Sequence, residues 1–374
     1  MLRKQGALLL FVSFFLLSGC AGSALGSQES SPPPMASQPS LPKKKRLRVL
    51  QFNLWQEGTS VPGGFEKIVS AILASRADLV ALSEVRNYHG RDLHQRLVRA
   101  LAAKGATYFG RYGGGDVGLL SRWPILKTES IVDGTKEDRG SLIAFHLRLP
   151  SGKKLVVCSA HLDYRNYAIY LPRGYDGNSF KMIDTNGDGQ PDPVTDLHVL
   201  HQMDRASKRD EALKRFVQFA QTKAMGSLPL LLLGDFNECS HLDWTAATAQ
   251  LYSHNGVVIP WKNSLMLQEA GMRDAWRELY PNPVTHPGAT WPSEAWKKGC
   301  TSWAPKVDER DRIDFVYYRA KGWKPLRAWI VGSKRYWVYG KLQSPKTQDP
   351  FLLQDLPWPS DHKGILVEFA LPSS

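Results

Sequence analysis

The sequence has few cysteines, fewer acidic than basic side chains and no internal repeat. It contains four cysteines in 374 residues, and 35 aspartates and glutamates against 48 lysines and arginines. The absence of a repeat excludes a solenoid or a propeller. The formal net charge of +13 favours an anionic partner such as nucleic acid, phosphate or an acidic surface. The alternative is a basic soluble protein without a polyanionic ligand.

A membrane-spanning run is also missing from the N-terminus. Two basic residues precede an apolar run, residues 7–17, that is too short to span a bilayer comfortably. The run is followed by "LSGC", which ends at Cys20, and the whole segment resembles a bacterial lipoprotein signal. The resemblance implies that residues 1–19 are a cleaved signal peptide and that Cys20 carries the lipid, an ordinary secretory signal being the alternative. We therefore expect an exported, lipid-anchored protein of the bacterial cell envelope. Ala21 favours the outer membrane if the host is Gram-negative.

Lipidation of Cys20 would leave three cysteines, so that at least one of them is unpaired. Cys158 lies in the apolar stretch "KLVVCSAH" and is predicted to be a small core residue. Cys239 and Cys300 lie in loop-like sequence. Export would permit a disulfide between them.

The remaining chain is predicted to form a tether followed by one domain. Residues 20–45 are rich in serine, proline and lysine and bury too little apolar surface to fold, which indicates a disordered tether. Over residues 46–374, strand-like and helix-like stretches alternate, and some strands follow one another directly. This mixture predicts an α/β or α+β fold with two packed sheets. A long basic amphipathic helix is predicted over residues 205–223.

Polar side chains occur at the ends of several apolar, strand-like stretches. Any one of them alone is more often a satisfied polar group or a turn residue. Strand ends, however, meet at one edge of a sheet, where ligand sites are favoured. The residues are Asn53, Glu84, His161, Asp235, Asn237, Asp314, Asp361 and His362.

The motifs around these residues resemble those of the endonuclease/exonuclease/phosphatase family in type and in order. They are "QFN", "SEV", "SAHL", "GDFN", "RIDFV" and "SDHKGI", and the match spans about residues 46–372. The family includes DNase I, exonuclease III-like repair enzymes, sphingomyelinases and inositol polyphosphate 5-phosphatases. The resemblance implies a four-layered sandwich, with two packed mixed sheets flanked by helices. It also implies a phosphodiester hydrolase that uses Mg²⁺, with Mn²⁺ as a substitute.

The resemblance implies metal ligands and phosphate contacts among these residues. Glu84 would be the principal metal carboxylate, with Asn53 beside it and Asp361 nearby. Oxygen ligands of this kind suit a hard divalent cation that stabilises a crowded phosphorane. Asn237 would bind a phosphate oxygen, and Arg139 resembles a phosphate-contacting arginine of DNase I.

Proton transfer is implied for the remaining residues. Asp235 would orient or deprotonate the attacking water. His161 would donate to a phosphate oxygen or assist the leaving group. His362 would be a general base or a phosphate ligand, and Asp314 would hydrogen-bond His362 and fix its tautomer.

A second metal site is indicated by "DTNGDGQPD". Asp184, Asn186 and Asp188 alternate as in the first half of a calcium loop, Gln190 would add its backbone carbonyl and Asp192 a further oxygen. The twelfth position lacks the glutamate of an EF-hand, so the match is partial. We expect a structural Ca²⁺ here, and a hydrophilic turn is the alternative.

The calcium loop lies in a segment, residues 164–204, that we treat as an insertion and expect to overhang the catalytic edge beside His161. Its aromatic and basic residues would stack bases and contact phosphates, or else pack the insertion onto the domain. They are Tyr164, Arg165, Tyr167, Tyr170, Arg173 and Tyr175.

The predicted function is a monomeric, membrane-tethered nuclease that acts on DNA or RNA. The alternatives are a sphingomyelinase or phospholipid phosphodiesterase and a small-molecule phosphatase of the same fold. A binding module that has lost activity is disfavoured, since both histidines and the acids are retained.

Overall fold

Six α-helices flank two β-sheets in the part of the chain that the structure describes. This structure is a computed structural model, and it describes residues 46–134, 140–295 and 302–372. The helices are α1 (Gly64–Ser75), α2 (Leu93–Ala102), α3 (Leu197–Arg205), α4 (Arg209–Gln221), α5 (Lys262–Glu269) and α6 (Ala275–Leu279).

The strands form a seven-stranded sheet, a six-stranded sheet and a small hairpin. They are β1 (Arg46–Asn53), β2 (Leu79–Ser83), β3 (Phe109–Gly114), β4 (Val117–Ser121), β5 (Ile125–Asp133), β6 (Gly140–Arg148), β7 (Lys154–Leu162), β8 (Leu230–Asp235), β9 (Arg273–Asp274), β10 (Asp314–Arg319), β11 (Lys324–Val331), β12 (Tyr336–Val338), β13 (Lys341–Gln343), β14 (Phe351–Leu352) and β15 (Gly364–Ala370). The first sheet has the order β14-β11-β15-β1-β2-β4-β3, and the second has the order β5-β6-β7-β8-β10-β9. Strands β12 and β13 pair only with each other. Both large sheets mix parallel and antiparallel pairs.

The two large sheets pack face to face, and helices cover their outer faces. Along β1, Leu47 and Val49 enter the core between the sheets, whereas Leu50 and Phe52 pack in the core that includes α1 and α2. The apolar run of β8 divides in the same way, because successive strand residues point to opposite faces. Leu231 and Leu233 face the first core, and Leu230 and Leu232 the core beneath α4 and α5. This arrangement confirms the predicted four-layered sandwich.

The predicted helix over residues 205–223 is present as α4 (Arg209–Gln221), but residues 206–208 form a break that separates it from α3, which ends at Arg205. The backbone N–H of Lys208 donates to Asp163 Oδ2 at 3.1 Å. The break also lets the buried Arg209 guanidinium donate to Asp204 Oδ1 and to the carbonyl of Asp163. Tertiary contacts therefore override the helical pattern of the sequence.

The insertion packs onto the domain through most of its predicted aromatic and basic residues. Tyr167, Tyr170 and Tyr175 are buried in a core that also contains Trp244 and Trp261. Of the two alternatives for these residues, packing therefore holds for the three tyrosines.

The buried arginine of the insertion packs as well. Arg173 is fully buried, and its guanidinium donates to both carboxylate oxygens of Asp311 at 2.5 and 3.1 Å. Tyr164 remains exposed. Two of the six residues, Arg173 and Tyr164, thus have opposite environments within one segment.

The predictions for the N-terminus and for the disulfide concern residues that the structure describes only in part. Cys20 and the signal and tether residues lie outside the described residues, as does Cys300. Cys239 is a buried free thiol whose Sγ donates to Asp311 Oδ1 at 3.2 Å, and Cys158 is a buried free thiol in β7, as predicted for a core residue. No helix over residues 46–134, 140–295 and 302–372 combines the length and apolar character that crossing a bilayer requires.

Candidate active site

Strand register brings three of the predicted residues into one row. The parallel pair β7 and β8 sets His161 beside Asp235, and the antiparallel pair β8 and β10 sets Asp235 beside Asp314. From the other sheet, Asn53 ends β1, and its Nδ2 donates to Asp235 Oδ2 at 2.9 Å. The row and this hydrogen bond join the two sheets at one edge of the sandwich.

His161 is held by a carboxylate that the sequence did not identify. Its Nδ1 lies 2.5 Å from Oδ2 of Asp116, a buried residue in the turn between β3 and β4. Its Nε2 lies 3.8 Å from Asp235 Oδ2. Burial lowers the pKa of His161, but the Asp116 carboxylate and its hydrogen bond outweigh burial and raise the pKa to about 10. His161 is therefore a cationic donor at neutral pH.

His362 has a matching arrangement on the opposite side of Asp235. Its Nδ1 lies 3.0 Å from Asp314 Oδ2, the contact that the family resemblance implies, and its Nε2 lies 3.6 Å from Asp235 Oδ2. Burial lowers the pKa of His362, but Asp314 and Asp235 raise it to about 10. Gln51 Nε2 in turn donates to Asp314 Oδ1 at 3.0 Å and fixes that carboxylate.

Asp235 lies between the two histidines and is shielded from solvent. Besides Asn53, it accepts the backbone N–H of Asn237 through Oδ1 at 2.9 Å. Burial raises the pKa of Asp235, the two imidazolium charges oppose this effect, and the Asp314 charge adds to it. A carboxylate with a raised pKa is a stronger base and is therefore suited to accept a proton.

Asn237 adopts a left-handed backbone conformation, with φ of 48°. Its Nδ2 donates to the carbonyl of Leu162 at 2.9 Å, which anchors the carboxamide to the end of β7. Non-glycine residues held in this region occur where the surroundings over-determine them, and such positions cluster at functional sites. Glu84 shares the feature, with φ of 61°.

The surroundings of Asn53, Glu84 and Asp361 show whether these proposed ligands suit a divalent cation. Asp361 is buried, and its Oδ1 has no hydrogen-bond partner among the described residues. Burial raises the pKa of Asp361 to about 8, the nearby Glu84 and Asp235 charges add to this effect, and His362 opposes it. Carboxylates that crowd together with an unpartnered oxygen fit a hard divalent cation. Glu84 Oε2 accepts the backbone N–H of Gln56 at 2.8 Å, and Asn53 Oδ1 accepts that of Trp55 at 2.9 Å, so both side chains are fixed in orientation.

A second possible metal group consists of Asp235, Asp314 and His362, whose ligating atoms all lie within 4.8 Å of one another. These atoms are already engaged, since Asp314 Oδ2 pairs with His362 and Asp235 Oδ2 with Asn53. We therefore interpret Asp235, Asp314 and His362 as residues that transfer protons. The part of the site around Glu84 and Asp361 is then the metal side, where a cation would bind.

The site opens into a cavity of about 360 Å³ with many aromatic walls. Trp55 and Trp291 lie next to the polar residues, and the insertion contributes several rings, so the insertion lines the site as expected. The lining aromatics are Trp55, Tyr164, Tyr167, Tyr170, Phe180, Trp291 and Trp303. Of these, the sequence indicated only the tyrosines of the insertion.

Two further predictions concern Arg139 and the calcium loop. Arg139 lies outside the described residues. In the predicted calcium loop, Asp184 accepts the backbone N–H groups of Gly187 and Gly189, and Asp188 accepts that of Gln190. Asn186 Oδ1 likewise accepts the N–H of Asp188, and Asp192 accepts that of Thr185. These are the hydrogen bonds of a hydrophilic turn, and calcium binding there stays a prediction.

Comparison with family models identifies the family of the chain. The model for "Endonuclease/Exonuclease/phosphatase family" matches residues 50–362. The chain belongs to the endonuclease/exonuclease/phosphatase family. It is therefore a member of a family of phosphoric ester hydrolases, and both histidines lie within the matched residues.

Individual relatives are distant. A Caenorhabditis elegans protein, "Uncharacterized protein F14F9.5", is 27% identical over 324 residues, which cover 86% of this chain and 91% of that protein. Among solved structures, an endonuclease/exonuclease/phosphatase from Beutenbergia cavernae is 19% identical, with a TM-score of 0.50 over 88% of this chain and 72% of that chain. A D. rerio TDP2 structure, described as complexed with single strand DNA product, is 18% identical, with a TM-score of 0.49 over 87% of this chain and 99% of that chain. The first of these two structures supports the fold alone.

Proposed function

We propose that the protein is a metal-dependent nuclease that hydrolyses phosphodiester bonds in DNA or RNA. The observation that carries the proposal is Asp235, a buried carboxylate set between two cationic histidines at 3.8 and 3.6 Å. Two donors and one acceptor around a single point match the needs of phosphodiester hydrolysis, in which water loses a proton and the phosphate gains negative charge. The net charge of +13 supports a polyanionic substrate.

The chain's own residues divide the chemistry among them. Asp235 accepts the proton of the attacking water, and Asn237, anchored to Leu162, presents its remaining amide hydrogen to a phosphate oxygen. His161 and His362 are protonated at neutral pH, donate to phosphate oxygens and supply a proton to the leaving oxygen. Asn53, Glu84 and Asp361 would hold Mg²⁺ or Mn²⁺, which when bound supplies positive charge to the phosphate oxygens.

The test offers plasmid DNA, RNA, sphingomyelin and an inositol phosphate in parallel to the purified protein with Mg²⁺. Hydrolysis of nucleic acid that is abolished by EDTA and restored by Mg²⁺ is the expected result. His161→Ala and Asp235→Ala are the blanks. Equal turnover of every substrate by parent and blanks would contradict an enzymatic function, and turnover of lipid alone would contradict the nuclease.

A phospholipid or sphingolipid phosphodiesterase is the second candidate. The observation that favours it is the hairpin of β12 and β13, where Tyr339 at the turn is among the exposed aromatic residues. A single exposed ring is a small surface for membrane docking, so this candidate ranks below the nuclease.

We also propose that the protein is exported and anchored by a lipid on Cys20, because the N-terminal sequence resembles a lipoprotein signal. Metabolic labelling with a radioactive fatty acid should mark the parent chain and not Cys20→Ala. Labelling of both chains, or of neither, would contradict the anchor.

A further inference from the structure

The rings of Trp291, Trp303, Phe180 and Tyr170 form an aromatic wall of the cavity that extends outward from His362. The ring centroids of His362 and Trp291 are 5.0 Å apart, and those of Trp291 and Trp303 are 6.1 Å apart. These two distances together limit the separation of His362 and Trp303 to about 11 Å. A phosphate at the histidines therefore has aromatic rings within the reach of one nucleotide.

The rings also meet the insertion. Phe180 packs edge-on against Trp303, with centroids 4.9 Å apart and planes at 88°, and it packs in the same manner against Tyr170 at 5.9 Å. Trp303 is nevertheless 50% exposed, and Tyr164 on the insertion side of the cavity is 45% exposed. Large aromatic faces left open to water inside a cavity are uncommon in a packing cluster and indicate a ligand surface.

The wall is held rigid by two buried acids. Glu309 accepts the hydroxyl of Tyr170 at 2.5 Å, the backbone N–H of Ala304 at 3.1 Å and the hydroxyl of Ser302. Asp311 pairs with Arg173 of the insertion and exchanges backbone hydrogen bonds with Trp291 at 2.9 and 3.0 Å. The segment that carries Trp303, the isolated bridge between Trp291 and Asp311, and the insertion are thus held to one another. A preorganised surface loses little entropy when a ligand binds.

We propose that this wall is a subsite for a single nucleobase next to the scissile phosphate, with Trp303 as its stacking platform. The proposal rests on the proposed nuclease function and narrows it to unpaired nucleotides. The cavity of about 360 Å³ is at the small end of ligand pockets and suits one nucleotide unit rather than a duplex. Every base offers a π-face, so stacking of this kind tolerates any sequence.

A quaternary ammonium group is the competing ligand, because aromatic rings also recognise such cations. The carboxylates that would assist it, Glu84 and Asp361, lie on the metal side of the site and are neutralised when the cation is bound. An ammonium group in the cavity would then contact aromatic rings but would not be paired with the charge of Glu84 or Asp361. The base is therefore the ligand that the observations favour.

The first test uses a dinucleoside monophosphate with both bases, together with two analogues that lack the base on one side or the other. With the parent protein, removal of one of the two bases should lower kcat/KM about five- to hundredfold. With Trp303→Ala, kcat/KM for the intact substrate should fall to the value that the parent has for that abasic analogue. The kcat/KM for the analogue itself should not fall further. Trp303→Phe should restore most of the difference. Tyr339→Ala, which removes an equally exposed ring outside the cavity, should behave as the parent does.

The proposal would be overturned if the parent hydrolysed all three substrates equally, or if Trp303→Ala lowered kcat/KM for all three by the same factor.

A second test is independent of turnover and uses His161→Ala. The tryptophan fluorescence of this variant is measured during titration with dAMP and with phosphocholine. Quenching by dAMP that disappears in His161→Ala/Trp303→Phe is expected. Quenching by phosphocholine alone would overturn the base subsite. Failure of the parent on every nucleic acid, with dAMP quenching retained, would contradict the nuclease and leave the subsite standing.

Discussion

At the scale of single residues, the site depends on which carboxylate faces which histidine. Asp116 pairs with His161, and Asp314 pairs with His362, while Asp235 lies within 4 Å of both rings. Each outer acid accepts a hydrogen bond from Nδ1 of its own ring, so the hydrogen on Nε2 is the one that faces Asp235. Each histidine is therefore paired with its own outer acid although both rings flank Asp235.

Asp116→Asn tests this separation. Loss of the carboxylate removes the principal cause of the raised pKa of His161, so the ring should titrate at a lower pH in NMR spectra, with His362 unchanged. The activity should fall about 10- to 100-fold, as is typical when the partner that orients an active-site histidine is removed. Asp314→Asn is the matched control and should shift His362 alone. A shift of both rings in either variant would contradict separate tuning.

The residues that the sequence predicted and the one that it missed differ in a physical way. Asp235 and Asn237 follow an apolar run directly, so their place at a strand end is encoded locally. Asp116 is 45 residues away from His161, in a glycine-rich turn with no apolar pattern of its own. The turn reaches the histidine because the sheet of β4 packs face to face on the sheet of β6 and β7, where the N–H of Asp116 donates to Ser141 Oγ at 3.2 Å. Such a contact depends on topology and leaves no mark in the local sequence.

At the scale of elements, the insertion is the part that sequence patterns described least well. The helix predicted to follow it begins only at Arg209, because Asp163 and Asp204 bind the chain at residues 208 and 209. Its tyrosines are mostly buried, and its arginine forms an internal ion pair. The pattern of aromatic and basic residues encoded attachment to the domain. The exposed ring of Trp303 comes from a distant part of the sequence, as does the buried ring of Trp291 beside it.

Arg173→Ala tests how strongly the insertion is attached. The substitution leaves Asp311 buried without its partner, and breaking a buried pair in this way costs about 3–5 kcal/mol. The free energy of unfolding, measured by urea denaturation, should fall by that amount. Lys208→Ala, which removes an exposed pair with Glu211, should change it by less than about 1 kcal/mol. Equal effects of the two substitutions would contradict a structural role for the Arg173–Asp311 pair.

The calcium prediction also belongs to the insertion. If Ca²⁺ binds Asp184, Asn186 and Asp188, limited proteolysis within residues 184–192 should be slower with Ca²⁺ than with EGTA. Asp188→Ala should abolish the difference. A loop that is cut at the same rate in both conditions would show that the turn is held by its own backbone hydrogen bonds.

At the scale of the whole molecule, two buried histidines away from the active site limit stability in acid. Burial lowers the pKa of His94 to about 4, and that of His254, with the Arg173 charge adding to the effect, to about 2. Between pH 6.5 and its lowered pKa, each ring stays neutral in the folded protein, whereas an unfolded histidine gains a proton near pH 6.5. Their contribution to stability is therefore complete above pH 6.5 and is lost as the pH falls toward the folded pKa. His161 and His362, whose pKa values are raised, lose their contribution in the opposite direction, between pH 6.5 and about 10.

His94→Leu should reduce the loss of stability in acid. Each buried neutral histidine makes the free energy of unfolding fall by about 1.4 kcal/mol per pH unit below pH 6.5. Between pH 6.5 and 4.5 the parent should therefore lose about 2 kcal/mol more than the variant, as measured by urea denaturation. Leu97→Ala, a core substitution in the same helix, should lower stability equally at both pH values. Parallel pH dependence of parent and His94→Leu would count against this effect of burial.

The shared acids Glu309 and Asp311 have a consequence for how this protein could be re-engineered or could have diverged. The insertion and residues 302–311 are distant in sequence, yet each supplies half of the same ion pair and hydrogen bonds. A transplant of residues 164–204 into another scaffold would carry Arg173 without its acid and Tyr170 without its acceptor. The transferable unit is therefore bipartite, and exchange of substrate preference between relatives would require that both pieces move together.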